Sequence, residues 1–275
     1  MTEASPEVPP EIVEHYETIE EGRRITEGLG RLELLRTREV LRRHLPRGPM
    51  GILDVGGATG VHAQWLAADG HHVHVVDLVP VHVEQAGVQP GSAGRVTAEV
   101  GDARNLPVPD GSFDAALVFG PLYHLTERGD RLLALREAGR AVRPGGMIFV
   151  AAISRFASLF DGLARGFLFD PSFRGIVDRD LAEGQHRNPT GRPEWFTTAY
   201  FHHPHELCEE AEAAGLVVVE MVGVEGLAGW LSPLEERLDS ETDRDTVLFS
   251  ARVVEAEPAL LGLSAHLILV ARTRS

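Results

Sequence analysis

Short apolar runs alternate with longer amphipathic runs through the first half of the chain. The short runs have the length and β-branched content of strands, and they are Gly51–Val55, His72–Val76, Arg95–Val100 and Phe113–Phe119. The longer runs carry apolar residues at helical spacing, and they are Val61–Ala68, Pro80–Ala86 and Asp130–Val142. This alternation of strand and helix predicts a parallel sheet with helical crossovers.

The pattern changes on both sides of this alternating region. Apolar residues between Glu11 and Leu45 recur at helical spacing, interrupted by glycines, and predict two helices. The stretch Arg143–Gly146 is predicted to end the preceding helix and to turn into a strand, Gly146–Ile153. The last third of the chain predicts a helix and two strands, at Pro204–Ala214, Leu216–Val224 and Ala265–Ala271.

Between these parts, the alternation lapses over about residues 155–203. The segment is rich in aromatic residues, and we interpret it as an insertion that covers the sheet. Phe167, Phe169 and Phe173 are expected to anchor this insertion by packing into a core.

The charge of the chain narrows the choice of partners. The 275 residues carry a formal net charge of −15 at pH 7, which repels a phosphate backbone and disfavours nucleic acid. No apolar stretch approaches the length of a membrane span, and the acidic first residues do not look like a signal peptide. The single cysteine, Cys208, requires no oxidising compartment, so a cytoplasmic protein is expected.

A glycine-rich turn follows the first predicted strand and opens a helix. It holds Gly56, Gly57 and Gly60, where the absence of a Cβ lets the backbone approach a bound nucleoside or amino acid. The spacing differs from the G-x-G-x-x-G pattern of dinucleotide-binding folds. An NAD-dependent oxidoreductase is therefore a weaker hypothesis for this turn.

The segment Leu53–Gly60 resembles the first motif of the class I S-adenosylmethionine-dependent methyltransferases. Ala58 stands where the family usually has a glycine, so its methyl group is expected to crowd the methionine part of the cofactor. The resemblance implies that S-adenosyl-L-methionine is bound by Asp54, Gly56, Gly57, Ala58 and Gly60.

Later residues match further motifs of this family. The resemblance implies that Asp77 accepts hydrogen bonds from both ribose hydroxyls, and a carboxylate suits a vicinal diol. It implies that Asp102 accepts from the adenine amino group and that Ala103 donates to the ring through its backbone. Taken singly, Asp77 could cap a helix and Asp102 could form a turn. The other implied cofactor contacts are Leu78, Gly101, Phe119 and Tyr16. For Tyr16, packing in the core is the alternative.

The resemblance also implies the fold. It predicts an α/β protein with a Rossmann-like, doubly wound, mostly parallel seven-stranded sheet, helices on both faces and a helical cap. The chain then divides into a mobile tail (1–10), N-terminal cap helices (11–46), a cofactor-binding core (47–154), a cap insertion (155–203) and the C-terminal part of the core (204–275).

The expected reaction is an in-line displacement at a sulfonium, with S-adenosyl-L-homocysteine as the product. Geometry is its main demand, and oxygen or nitrogen nucleophiles can also need a general base. His124, after the fourth strand, is the candidate base, because a histidine can take a proton near neutral pH. The alternative is that His124 only makes local hydrogen bonds and that proximity suffices. Tyr123 is expected to orient the acceptor.

The insertion is expected to supply the acceptor pocket. Its aromatic surface and charged donors fit an aromatic or carboxylate-bearing molecule. The predicted acceptor-binding residues are Arg155, His186, Trp195, Tyr200 and His202. The histidines at 202, 203 and 205 do not have metal-ligand spacing, and no metal is predicted.

The expected function is therefore methyl transfer to a small-molecule acceptor, without nucleic acid or membrane partners, by a monomer or homodimer. The alternative is a protein of the same fold that uses S-adenosylmethionine non-reactively, as a cyclase, a decarboxylase or a regulatory binding module. Ala58 is the feature that favours this alternative. The sequence leaves the acceptor open, and also whether oxygen, nitrogen or carbon is methylated.

Overall fold

A computed structural model describes residues 28–87 and 94–275 of the protein. Tyr16 and the predicted tail and first helix lie outside these residues. The strands in the described ranges are β1 (Gly51–Val55), β2 (His72–Asp77), β3 (Val96–Val100), β4 (Phe113–Val118), β5 (Val142–Ser154), β6 (Gln185–His186), β7 (Ala199–His202), β8 (Val217–Gly223) and β9 (His266–Arg272). The helices are α1 (Gly28–His44), α2 (Val61–Ala68), α3 (Pro80–Gly87), α4 (Pro121–His124), α5 (Arg128–Ala141), α6 (Ala157–Arg165), α7 (Pro171–Glu183), α8 (Pro204–Ala213), α9 (Leu234–Asp239) and α10 (Glu241–Val254). Within these ranges, no helix is long and apolar enough to cross a membrane.

The strands form one sheet whose central part is parallel. Its order is β3-β2-β1-β4-β5, and every neighbouring pair in that series is parallel. Next to β5 lies β9, which is antiparallel and pairs in turn with β8. This arrangement confirms the predicted mostly parallel, doubly wound sheet, because all seven predicted strands are in it.

Alternate residues of the strands face two separate cores. On one face, Leu53 and Val55 of β1 pack with Leu135 of α5. On the other face, Ile52 packs with Leu66 of α2. Because both faces are covered by helices, the ligand-accessible edge is the one formed by the strand ends.

The insertion contains the helices α6 and α7, and it also adds two short strands to this sheet that were not predicted. The strand β7 pairs in parallel with β5 through Ile153 and Ser154 only, and β6 pairs with β7. The sequence of β7, AYFH, is too short and too polar at its end to be separated from a loop by its pattern.

The insertion also has a small core of its own, formed by α6, α7 and the turn around Trp195. Phe173 is buried in this core and Phe167 packs against it, as predicted. Phe169 is 80% exposed, so the prediction that it anchors the insertion is wrong. It is the last residue of the short helical turn Phe167–Phe169, directly before Asp170, which caps α7.

The predicted turn at Arg143–Gly146 is a bulge within β5. Phe113 pairs with Val142 and Ala115 pairs with Met147, so four residues of β5 stand opposite a single residue of β4. The strand therefore begins at Val142, earlier than predicted, because pairing with β4 starts before the glycines rather than after them.

The C-terminal helices α9 and α10 were not predicted, and they bind the start of α1. Leu32 of α1 packs with Leu238 of α9 and Leu248 of α10. The buried guanidinium of Arg36 donates to the Val224 carbonyl and pairs with Glu255. These contacts hold α1 beside the carboxyl ends of the strands.

Candidate active site

A cleft of about 710 Å³ runs along the carboxyl ends of the parallel strands. Its cofactor side is formed by turns that follow β1 to β4, at Gly56–Thr59, Asp77–Val79, Gly101–Arg104 and Phe119. Its acceptor side is formed by α4, the insertion, α1 and the start of β9, and includes Glu33, Tyr123, His124, Asp161, Trp195, Phe196, Trp230 and His266. Strand ends meet at this edge, so residues far apart in sequence share one cavity.

The glycine-rich turn needs its first two glycines for packing reasons. Gly56 has a φ of 72°, and a Cβ there would lie 2.4 Å from the Pro121 ring. A Cβ on Gly57 would lie 2.6 Å from a carboxylate oxygen of Asp54. Both distances are far inside van der Waals contact, so the turn is a cradle that side chains would fill.

Ala58 has a φ of 46°, in the left-handed region. An L-residue with a Cβ is disfavoured there by about 1–2 kcal/mol. The position thus has the backbone conformation that suits the family's usual glycine, although the chain places alanine in it.

Asp54 lies beneath the turn instead of lining the cleft. It is fully buried, and neither carboxylate oxygen has a hydrogen-bond partner among the described residues. Burial, with the nearby charge of Asp77, raises the pKa of Asp54 to about 7. A buried carboxylate without a partner is costly. Asp54, predicted to bind the cofactor, is therefore separated from the cleft by the turn, and its influence on a ligand there would be electrostatic.

Asp77 lines the cleft directly after β2, where the sequence predicts the residue that binds the ribose. Its two carboxylate oxygens accept hydrogen bonds from the backbone N–H groups of Ala58 and Val79, both at 2.9 Å. His82 is 3.4 Å from one of these oxygens. A carboxylate has about four acceptor positions, so the backbone bonds fix Asp77 and still leave it able to bind a diol.

The carboxylate of Asp102 is engaged by Arg104. The Arg104 guanidinium makes a two-pronged contact with it, at 3.0 and 2.6 Å, and also pairs with Asp130. Burial alone would raise the pKa of Asp102, but the hydrogen bonds from Arg104 outweigh it and lower that pKa. Three N–H groups of Arg104 donate to Asp102, so about one of the four acceptor positions of the carboxylate is left for the predicted hydrogen bond from an adenine amino group.

Most of the other predicted cofactor residues line the cleft, and they are Leu78, Gly101, Ala103 and Phe119. Gly60 does not line it. It precedes α2 and packs against Ala86, where an added Cβ would be 3.1 Å from the alanine methyl. Its role in the structure is to let α2 approach α3 closely.

His124 and Tyr123 lie on the acceptor side, in the single turn of α4. Nδ1 of His124 is 3.3 Å from the Thr198 carbonyl, to which it can donate. The His124 ring lies 4.8 Å from the Tyr123 ring and 6.1 Å from the Phe196 ring. The predicted catalytic pair is therefore at the cleft, with His124 connected to the insertion.

Among the predicted acceptor-binding residues, only Trp195 lines the cleft. The others lie behind it, buried or half-buried in polar contacts, and they are Arg155, His186, Tyr200 and His202. The Nδ1 and Nε2 atoms of His186 are each 2.9 Å from an oxygen, in the Asp180 carboxylate and the Trp195 carbonyl. The side chain of His186 thus positions the turn that carries Trp195.

The three remaining residues belong to a buried cluster that we call the Arg131 network, formed by Arg131, Arg155, Tyr200, His202, Glu206 and Glu210. Arg131 pairs with Glu210 at 2.7 Å and lies 3.7 Å over the Tyr200 ring. Burial alone would raise the pKa of Glu210, but hydrogen bonds from His202 and Arg131 outweigh it and lower the pKa to about 2. Burial lowers the pKa of His202. The network fastens β7 to α5 and α8.

Trp195 has an unusual polar atom for a residue that packs in a core. Its Nε1 is buried and has no hydrogen-bond partner among the described residues. An unpaired buried donor costs about 1–3 kcal/mol. The nitrogen has no accessible surface, so a ligand in the cleft would reach it only after a shift of the ring.

Several residues at the cleft were missed by sequence reasoning. Phe196 has a φ of 65° and a ψ of −176°, a region that almost only glycine occupies, and this backbone presents its ring to the cleft. Asp161 of α6 faces the cleft, and burial raises its pKa. No motif marks either residue. The group Glu33, Glu225 and His266 was missed because its members are separated by most of the chain.

Comparisons with known proteins identify the part of the chain that carries the cofactor side. Residues 52–146 match the family described as "Methyltransferase domain". O-methyltransferase resE of Aspergillus sclerotiorum is 33% identical over 140 residues, which cover 45% of this chain and 52% of that protein. Ubiquinone biosynthesis O-methyltransferase of Methylobacterium nodulans is 30% identical over 186 residues, or 66% of each chain. The matched part thus spans about half to two thirds of the length of these curated relatives.

A solved structure extends the likeness in fold to nearly the whole chain. It is the 1,6-didemethyltoxoflavin-N1-methyltransferase of Burkholderia thailandensis, with its substrate and S-adenosylhomocysteine bound. The TM-score is 0.58 and the identity 18%, over 99% of this chain and 93% of the other. The match to the family covers β1 to the start of β5, and the fold match extends over the rest of the chain. The chain belongs to the class I S-adenosylmethionine-dependent methyltransferase family.

Proposed function

We propose that the protein transfers a methyl group from S-adenosylmethionine to an oxygen of a small-molecule acceptor. The observation that carries the proposal is the continuity of one cleft from the glycine cradle to an aromatic-lined acceptor side. Oxygen is proposed as the methylated atom because the two curated relatives described above are named O-methyltransferases, whereas other relatives are named C-methyltransferases.

The residues of the cofactor side fit S-adenosylmethionine. Gly56, Gly57 and Ala58 would pass the methionine part, Asp77 would hold the ribose, and Gly101–Ala103 would border the adenine. The carboxyl group of Asp54, unpartnered among the described residues and with its pKa raised to about 7, lies beneath the cradle, and a ligand that carries positive groups would favour its ionised form. When bound, the cofactor supplies an electrophilic methyl group on a sulfonium.

The acceptor side would orient the acceptor and exclude water. Phe196 provides a flat apolar surface with Tyr123 packed beside it, and the largely buried Trp195 supports this side of the cleft. Positioning of this kind can supply much of the rate of an in-line displacement. His124 remains the base predicted from the sequence.

Two measurements test this function. Calorimetric titration should show binding of S-adenosylmethionine and S-adenosylhomocysteine but not of NAD. Incubation with metabolite pools, followed by mass spectrometry, should then reveal a compound that has gained one methyl group. Binding without any methylated product would favour non-reactive use of the cofactor instead, and NAD binding would favour an oxidoreductase.

A further inference from the structure

We propose that His266 and Glu225 form the proton-accepting pair for a hydroxyl-bearing acceptor, an inference that rests on the proposed function. His266 begins β9, opposite Ile153 of β5, and its side chain is 21% exposed and lines the cleft. Its Nδ1 is 2.5 Å from a carboxylate oxygen of Glu225. The pair therefore joins the acceptor side to a buried charge.

Glu225 is held in place by several hydrogen bonds. It is 0% exposed, and its second oxygen accepts from the Ser264 hydroxyl at 2.7 Å and from the His266 backbone N–H at 3.1 Å. Burial alone would raise the pKa of Glu225, but the charge and hydrogen bond of His266, with the bond from Ser264, outweigh it and lower that pKa. An ionised, immobile carboxylate is thus directed at the imidazole.

This arrangement fixes which nitrogen can act as a base. An ionised carboxylate only accepts hydrogen bonds, so Nδ1 of His266 carries a proton and Nε2 is the basic nitrogen. A carboxylate also stabilises the imidazolium that forms after proton uptake. Glu33 adds a second carboxylate, 3.8 Å from the same Nδ1.

The comparison with His124 favours His266 as the stronger base. Among the described residues, His124 contacts a neutral carbonyl at 3.3 Å, whereas His266 contacts a carboxylate at 2.5 Å. Charge-assisted hydrogen bonds are roughly twice as strong as neutral ones. We therefore assign His266 as the group that takes the proton of the acceptor hydroxyl, and His124 as a residue that positions the acceptor.

The charges of the acceptor side indicate the class of acceptor. Glu33, Asp161 and Glu194 line the acceptor side with their carboxylates. Among the described residues, this side has one arginine, Arg165, which already pairs with Asp161 at 3.4 Å. An acceptor carboxylate would meet repulsion there. A neutral phenol, enol or alcohol would not, and such a hydroxyl is the kind of nucleophile that needs a base.

The proton and electron balance of the step is simple. As the hydroxyl oxygen forms its bond to the methyl carbon, its proton passes to Nε2 of His266. The methyl–sulfur bond breaks, and its electron pair stays on sulfur. His266 later releases the proton to water, so the net products are a methyl ether, the thioether and one proton.

The pair is tested by measuring turnover of the protein with methyl-labelled S-adenosylmethionine and a panel of phenols and enols. The compound that gives the most product is then used to compare variants. His266→Gln should lower kcat by about 10²–10⁴-fold, the usual contribution of a positioned base, and should remove the acidic limb of the pH profile. His124→Gln should keep that limb. Retention of both rate and limb in His266→Gln would overturn the proposal.

His44 offers a matched control, because its Nε2 is 2.8 Å from a Glu220 carboxylate oxygen and it does not line the cleft. His44→Gln removes a histidine–glutamate pair of similar geometry and should leave turnover unchanged. Unaltered affinity for S-adenosylhomocysteine in His266→Gln shows that the cofactor side has stayed intact.

A readout that does not need turnover is the NMR titration of the His266 ring. Replacing Glu225 by Gln removes the charge but keeps the shape, and the titration midpoint of His266 should fall. An unchanged midpoint would refute the pair, even if the enzyme is active. If the wild-type protein methylates no compound, the proposed function fails for this panel, and this titration alone decides about the pair.

Binding of a metal ion is the alternative role for the side chains of Glu33, Glu225 and His266. Ligand atoms of Glu33, Glu225 and His266 all lie within 4.8 Å of one another. Loss of turnover after dialysis against EDTA, with recovery on addition of Mn²⁺ or Zn²⁺, would overturn the proton-accepting role. Full turnover after EDTA is the expected result.

Discussion

Two buried carboxylates mark the difference between the cofactor side and the insertion. Asp54, beneath the glycine cradle, has no hydrogen-bond partner among the described residues, and its pKa is raised to about 7. Glu210, behind the insertion, is bonded by Arg131 and His202, and its pKa is lowered to about 2. Burial acts in the same direction on both groups, so their partners make the difference.

The contrast teaches how polar residues divide between binding and architecture in this protein. On the cofactor side, acceptor capacity is left over, and a ligand would use it. In the Arg131 network, each charge is matched within the chain, so Arg155, Tyr200 and His202 stabilise the insertion. The network is expected to matter for folding and the cofactor side for binding.

The largest expected effect is on the Arg131 network. Arg131→Met removes the main partner of Glu210 and two hydrogen bonds to the Leu125 and Thr126 carbonyls. Breaking a buried ion pair in this way should cost about 3–5 kcal/mol of unfolding free energy, measured by urea denaturation. Arg128→Met is the control, because Arg128 is exposed and 3.9 Å from Glu210, and it should cost under about 1 kcal/mol. Equal losses in the two variants would remove the distinction between the regions.

Asp77→Ala should weaken the binding of S-adenosylhomocysteine by about 1.5–3 kcal/mol, the scale of a hydrogen bond to a charged group. The fold should survive, because the network lies elsewhere. Calorimetry on the folded variant measures this loss. Unchanged affinity would take Asp77 out of the site, and a large loss of stability would make it an architectural residue like Glu210.

Stability should depend on pH in opposite directions through the two carboxylates. Glu210 has a folded pKa of about 2 against an ordinary 4.5, so its contribution is present above pH 4.5 and is lost as the pH falls toward 2. Asp54 has a folded pKa of about 7 against 3.8, so stability falls as the pH rises from 3.8 to 7. Between pH 5 and pH 7, Asp54→Asn should gain about 2 kcal/mol over the wild type. Glu210→Gln should show a flatter loss of stability below pH 4.5. Parallel curves for the wild type and Asp54→Asn would contradict the raised pKa.

The smallest expected effect is at Ala58. Glycine removes about 1–2 kcal/mol of left-handed strain, and its greater freedom in the unfolded chain offsets about 0.5–1 kcal/mol of that gain. Ala58→Gly should therefore have a melting temperature equal to or slightly above that of the wild type. Because the methyl group that is expected to crowd the cofactor is gone, the variant should also bind S-adenosylhomocysteine at least as tightly. Weaker binding would mean that the alanine methyl contacts the ligand favourably.

Much of the fold could be predicted because its signals are local. Strands such as β1 and β4 are buried on both faces and therefore appear as unbroken apolar runs, and the helices between them have helical spacing. By contrast, β7 is held by a short pairing with β5, and α9 and α10 are fixed by contacts with α1. Those contacts are tertiary, and no local pattern announces them.

The same distinction explains the outcome at the site. The cofactor side is built from the residues that directly follow consecutive strands, so a motif identifies it. Gly60 and Asp54 belong to that motif but act behind the cleft. On the acceptor side, sequence alone does not tell which charges pair with each other. Arg155 and His186 were expected to bind the acceptor because their partners, Glu206 and Asp180, were unknown.

The attachment of the insertion has a consequence for how acceptor preference could change. The insertion has its own aromatic core, and it is attached to the sheet by the short pairing of β7 with β5, by the Arg131 network and by contacts with α4. The insertion therefore resembles an exchangeable segment, because its aromatic core contains no residue of the cradle that would hold the cofactor. Exchange of the segment between relatives that keep Arg131 and Glu210 should redirect specificity while cofactor affinity is inherited unchanged. In evolution, the same construction would let new acceptors be sampled by recombination.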